Sequence, residues 1–190
     1  MTRMLIIGPP GSGKGTQAER ISERIGVVAI STGDIFRRNV KEATPLGLEA
    51  KKFIDGGDFV PDDVTNRMVR DRLEQEDAVD GFLLDGYPRT ADQVRELDDI
   101  LAASGHSLDI VLQLTADDEE LVSRLKRRAE LDGRTDDTEE VIRHRLELYR
   151  GQTHAVVAEY DSRGMVTRVD GLGDIDEVTD RVMKSLAKVQ

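Results

Sequence analysis

The sequence predicts an α/β fold: a doubly wound, parallel five-stranded sheet with helices on both faces. Three observations carry that reading. Apolar runs short enough to be buried parallel strands recur at 4–7, 27–30, 82–84, 110–114 and 165–169. Helix-length segments lie between them, so the order reads βαβα. The first run leads into Gly8-Pro9-Pro10-Gly11-Ser12-Gly13-Lys14-Gly15-Thr16, a glycine-rich turn that opens a helix. In such sheets ligands sit outside the carboxyl ends of the strands, where this turn and the later Asp85-Gly86 pair both fall.

Each helix follows from its spacing. Ile21 and Ile25 form an i, i+4 apolar pair in the first helix, Leu97 and Leu101 do so later, and Val178, Val182 and Leu186 continue the pattern at the end. Two stretches interrupt the alternation. Residues 31–61 run through Pro45, Gly47, Gly56 and Gly57 with no convincing strand and read as a small helical insertion. Residues 129–138, A-E-L-D-G-R-T-D-D-T, read as a polar turn between two helices.

At 190 residues the chain suits one core with an insertion or two, so residues 1–190 are read as one domain. There is no run of eighteen apolar residues, and MTRMLIIG reads as a strand, not a signal peptide. The expectation is a soluble, cytoplasmic protein. Without cysteine there is neither disulfide nor thiolate metal site, and His106, His144 and His154 stand far apart, so no zinc is expected. A formal charge of −11 argues against nucleic acid and against an anionic membrane surface as partners. An anionic substrate therefore needs local arginines.

The glycine-rich turn is how a phosphate cradle is built. Its glycines let successive N–H groups point into one concavity, the helix adds the positive end of its dipole, and Lys14 brings a mobile charge to the outer phosphates. Gly15 stands where a hydroxyl residue usually follows the lysine, so Thr16, one place later, is the candidate magnesium ligand. Asp85 closes an apolar strand at the same edge and can hold magnesium, directly or through water. Tyr87-Pro88-Arg89 follows and presents a guanidinium. Gln93 shares a face with Arg89 if a helix begins near Thr90, so a phosphate and a base edge could be read together.

Ser31-Thr32-Gly33-Asp34 reads as a capped helix start. Arg37, one turn in, is a candidate phosphate ligand or a solvated surface arginine. Arg124, Arg127, Arg128, Arg134, Arg143 and Arg145 cluster around Asp136 and Asp137. Arginines suit charge that builds on a migrating phosphoryl group, although Arg127 and Arg143 read as surface partners of nearby glutamates.

Taken together, G-P-P-G-S-G-K-G-T-Q (8–17), S-T-G-D-I-F-R (31–37), D-G-Y-P-R-T (85–90) and G-R-T-D-D (133–137), with Arg145 downstream, resemble the adenylate kinase family over nearly the whole chain. The resemblance implies a P-loop kinase domain with an NMP-binding insertion at 31–61 and a short lid at 129–138. It implies transfer of the terminal phosphate of ATP to AMP with magnesium, giving two ADP, by a monomer. By that likeness Gly11, Ser12, Gly13, Lys14, Gly15 and Thr16 hold ATP, Arg124 and Arg128 cover its adenine and phosphates, and Gly173 offers a backbone contact to the base. Thr32, Arg37, Asp58, Phe59, Val60, Gly86, Tyr87, Pro88, Arg89 and Gln93 would surround AMP. Arg134 and Arg145 would bridge to its phosphate and the transferring group. Domain closure also comes with the family, and excluding water from the acceptor site gives it a physical reason.

Two rivals remain at this stage. A pyrimidine nucleoside monophosphate kinase shares the fold and most of the arginines, while Thr32 and Gln93 favour adenine. A nucleotide-binding switch without a second substrate leaves Arg37, Arg89 and Gln93 with no role.

Overall fold

The computed structural model describes residues 2–132 and 138–187. Five strands, β1 (Arg3–Ile7), β2 (Val28–Ser31), β3 (Phe82–Asp85), β4 (Ile110–Thr115) and β5 (Val166–Asp170), form one sheet in the order β2-β3-β1-β4-β5. Every neighbouring pair is parallel. Strand ends fall within one residue of the apolar runs. The register sets Asp85 beside both Ile6 and Ser31, so β1, β2 and β3 finish together at one edge.

Alternation along β1 shows how the sheet is covered. Met4 and Ile6 face α1 (Lys14–Ile25) and α10 (Ile175–Leu186), meeting Ala18, Ile21, Val178, Val182 and Leu186. Leu5 and Ile7 face the other side, where α4 (Asp62–Leu73), α6 (Ala91–Ala103) and α9 (His154–Ser162) supply Val64, Val69, Leu97, Val157 and Tyr160. Both faces of β1 are thus dry, which is why its residues read as one continuous apolar run.

Between β2 and α4 the chain forms α2 (Thr32–Lys41) and α3 (Pro45–Gly56). The Ser31 hydroxyl caps α2 by accepting from the Asp34 N–H at 3.3 Å, and Thr44 caps α3 through the Gly47 N–H at 3.0 Å. The two helices touch most closely at Gly47, where an added Cβ would overlap the Asn39 carbonyl group. A short α5 (Glu76–Val79) precedes β3.

After β4, α7 (Asp118–Asp132) and α8 (Glu139–Leu148) pack on each other through Leu121, Leu125, Ile142 and Leu146. Here the structure corrects the expected turn. Helix α7 continues to Asp132, because Ala129, Glu130 and Leu131 all favour helix and the first breaker is Gly133. Residues 133–137 lie outside the described residues. A π-helical turn, Tyr149–Thr153, joins α8 to α9; nothing in the sequence signalled it.

Gly47→Ala is expected to cost about 2 kcal/mol of stability, because backbone, which cannot rotate aside, occupies the space a methyl needs. Urea unfolding checks this: an unchanged midpoint would show that α2 and α3 do not touch so closely.

Candidate active site

Strand β1 ends at Ile7 and α1 begins at Lys14, so residues 8–13 must turn the chain within a few bonds. Gly11 and Gly13 do this at φ of +85° and +88°. At Gly11 there is also no room for a side chain, since a Cβ would stand 2.9 Å from Leu125 Cγ and 3.0 Å from the Leu121 carbonyl oxygen. Helix α7 therefore lies directly on the loop. The Ser12 N–H donates to the Pro9 carbonyl at 3.1 Å, and Lys14 Nζ folds back to the same oxygen at 3.2 Å. No acid sits in the first turn of α1, so the positive end of its dipole is left for a ligand.

The loop is one wall of a cavity of about 460 Å³. Across from it stand Thr32 and Arg37 on α2, Asp58, Phe59 and Val60 beyond α3, and the loop Gly86 to Arg89 after β3. Arg124 and Arg128 on α7 and Arg145 on α8 complete the lining. Gly86, at φ +85°, lets the chain turn against Thr32, whose hydroxyl donates to the Asp85 carbonyl at 3.3 Å. The Tyr87–Pro88 peptide is cis, and the Tyr87 hydroxyl donates to Asn66 Oδ1 at 2.8 Å.

Arg89 is fixed from several sides. Its Nε donates to the Gly86 carbonyl at 2.7 Å, its guanidinium lies 5.1 Å from the Phe59 ring centroid, and its backbone N–H donates to Gln93 Oε1 at 2.7 Å. Gln93 is the third residue of α6 and 2% exposed, with Thr90 as the cap of that helix. The expected common face is thus replaced by a tighter arrangement, in which the Gln93 amide grips the backbone of Arg89.

Charge in the cavity is mostly positive and buried. Burial is the main cause that lowers Lys14 to about 8, against the pull of Asp85, with Arg89 and Arg128 adding repulsion. Burial likewise lowers Arg89, opposed by Asp85 and helped by Arg145 and Arg37. Burial raises Asp85, while Lys14 and Arg89 hold it down and Asp34 pushes it further up. Several cations around one carboxylate, away from water, suit a multiply charged anion.

Comparison with known proteins decides the family. Residues 6–165 match the family described as Adenylate kinase. The chain is 72% identical over 190 residues to the adenylate kinase of Pseudarthrobacter chlorophenolicus, covering 100% of this chain and 99% of that one. It is 70% identical to that of Renibacterium salmoninarum (100% and 98%) and 63% identical to that of Micrococcus luteus (100% and 93%). The chain belongs to the adenylate kinase family.

Most residues that the family resemblance singled out line this one cavity. Three do not. Ser12 is buried under the loop, its hydroxyl without a partner among the described residues. Gly173 is exposed on the loop before α10, beside Arg181 and Glu177. Arg134 lies outside the described residues. Arg143 pairs with Glu139 at 2.8 Å and Arg127 is exposed, the surface roles expected for them.

Other residues were not anticipated. Asp34, read only as an early helix acid, lines the cavity and acts on Asp85. Tyr149 and Thr153 reach the cavity from the π-helical turn. Asp62 accepts from Thr90 Oγ1 at 2.8 Å and from Gln93 Nε2 at 2.7 Å. The one signal for Asp62 was Pro61-Asp62-Asp63, a helix start.

The Lys14 amine is expected to titrate near 8 in the nucleotide-free protein, and Asp85→Asn should lower that midpoint further by removing the charge that raises it. Heteronuclear NMR of the labelled lysine reads both; a midpoint at the ordinary value of 10.5 would overturn the buried-cation description.

Proposed function

We propose that the protein is an ATP:AMP phosphotransferase, moving the terminal phosphate of ATP reversibly to AMP to give two ADP, as a monomer in the cytoplasm. The observation that carries this is the continuity of the cavity: the phosphate loop stands on one side, and Thr32, Arg37, Arg89 and Gln93 stand on the other. A switch that senses one nucleotide needs only the first wall.

Gly11 to Thr16 cradle the ATP phosphates, with Lys14 as the mobile charge and Arg124 and Arg128 above them. Gly173, outside the cavity, serves the adenine through its backbone. Arg37 and Arg89 take the AMP phosphate. Thr32, with its proton given to the Asp85 carbonyl, presents an acceptor to the base, and Gln93 an amide. Asp58 to Val60 and Gly86 to Pro88 enclose the nucleotide, and Arg134 and Arg145 face the group in transit. Residues 31–61 form the acceptor insertion and 129–138 the lid.

Magnesium fits this site. No cluster of three or more metal-ligating side chains occurs among the described residues, and magnesium needs few, since it keeps waters and phosphate oxygens as ligands. Asp85, with Asp34 beside it, and Thr16 on the loop would hold it directly or through water. The ion supplies charge neutralisation at the β- and γ-phosphates. The remaining catalysis is alignment. An AMP phosphate is already an anionic nucleophile, so no side chain has to remove a proton. Arg89, held at its Nε, its face and its backbone, keeps that phosphate in line with the cradle.

A coupled assay across AMP, CMP, UMP and GMP tests the reading. AMP should lead strongly, and comparable kcat/KM for AMP and CMP would assign the protein to the pyrimidine class instead. In the same assay Arg89→Lys should lose kcat/KM nearly as far as Arg89→Ala, by about a hundredfold or more. An ammonium cannot bond Gly86, stack on Phe59 and hold a phosphate bidentately at once. A lysine variant with most of the wild-type activity would reduce Arg89 to a point charge.

A further inference from the structure

An amide side chain can be turned over, exchanging donor for acceptor, and its direction decides which base edge it complements. Gln93 has no such freedom. Its Oε1 accepts from the Arg89 backbone N–H at 2.7 Å, and a backbone N–H can only donate. Its Nε2 donates to Asp62 Oδ1 at 2.7 Å, and an ionised carboxylate can only accept. Turning the amide over would set NH₂ against N–H and oxygen against carboxylate, in a side chain 2% exposed. Asp62 is itself held, because its second oxygen accepts from Thr90 Oγ1 at 2.8 Å, and the same hydroxyl accepts from the Gln93 N–H at 3.2 Å.

These two bonds leave Gln93 one N–H on Nε2 and one lone pair on Oε1, in fixed order, on a residue that lines the cavity. Adenine presents a ring acceptor beside an amino donor. Hypoxanthine has the same size and the reverse order, a ring N–H beside a carbonyl. A locked amide matches one order, whereas a turning amide accommodates both.

We propose that Asp62 is a specificity-determining positioning residue: from the start of α4 it locks the Gln93 amide in the direction that selects a 6-amino over a 6-oxo purine monophosphate as phosphate acceptor. Asp62 does this without touching the substrate. The inference rests on the reading that this side of the cavity takes AMP.

The test compares kcat/KM for AMP and for IMP, with ATP as donor, in wild type, Asp62→Ala and Asp62→Asn. Alanine removes the acceptor and should cut the AMP-to-IMP ratio by about tenfold or more, with KM for ATP unchanged. Asparagine can still offer Oδ1 to Gln93 and should keep most of the ratio. If Asp62→Ala does not fold, Asp62→Ser removes the same reach while keeping a hydroxyl at the helix start, and the same loss is expected. A ratio that stays at the wild-type value in the alanine or serine variant, or AMP and IMP activities that fall together, would mean that Asp62 only supports α4 and α6. A wild type that fails to phosphorylate AMP overturns this inference and the functional reading alike. One that prefers AMP while its variants keep the ratio overturns this inference alone.

Discussion

Three charges removed from water, on Lys14, Asp85 and Arg89, govern the design of this molecule. Each would be unstable buried by itself, and the shifts of all three begin with burial. They persist because the sheet ends β1 and β3 side by side and so brings the loop of Lys14 against the carboxylate that closes β3. The triad carries more positive than negative charge, and Arg37, Arg128 and Arg145 add to the excess. A polyphosphate resolves that excess. On a chain of net charge −11, attraction for an anion must come from this cavity and not from the general surface.

Holding cations together without their ligand demands rigid supports. The molecule makes those supports from backbone: Lys14 rests on the Pro9 carbonyl, Arg89 on the Gly86 carbonyl, and Arg124 Nη1 on the Gly171 carbonyl at 3.0 Å. Carbonyls neutralise partial charge without adding a formal negative charge that would compete with phosphate. Carboxylates are used one layer further out, as at Asp62, where the group to be held is a neutral amide.

How far the sequence disclosed this follows the range of the forces involved. Buried parallel strands read as apolar runs, and a phosphate cradle depends on backbone freedom, so the five strands and residues 8–16 were visible in local composition. Arg89 and Gln93 were visible as residue types, but their relation was not: the Gln93 amide bonds backbone instead of sharing a face with the guanidinium. Asp62 was hidden because its partners lie 28 and 31 positions away and its own neighbourhood has a sufficient explanation as a helix start. Asp34 was hidden in the same way, a capping acid by position and a neighbour of Asp85 by folding. The π-helical turn at Tyr149 has no signature, since it follows from fitting α8 and α9 to the cavity and to β5 at once.

The packing of α7 and α8 joins the two walls mechanically. Leu121 and Leu125 of α7 press on Gly11 of the phosphate loop, and α8 touches the far side, where a Cβ at Gly57 would lie 2.8 Å from Val141 Cγ1. His144 adds a 2.6 Å contact from Nε2 to Asp58 Oδ1. Between these ends, Leu121, Leu125, Ile142 and Leu146 form one apolar cluster, so the helices shift together or lose its burial. A displacement that opens one wall is therefore transmitted to the other through a dry contact, not through the ligand. Since Arg124 and Arg128 ride on α7 and Arg145 on α8, the same movement withdraws or restores the cations of both walls.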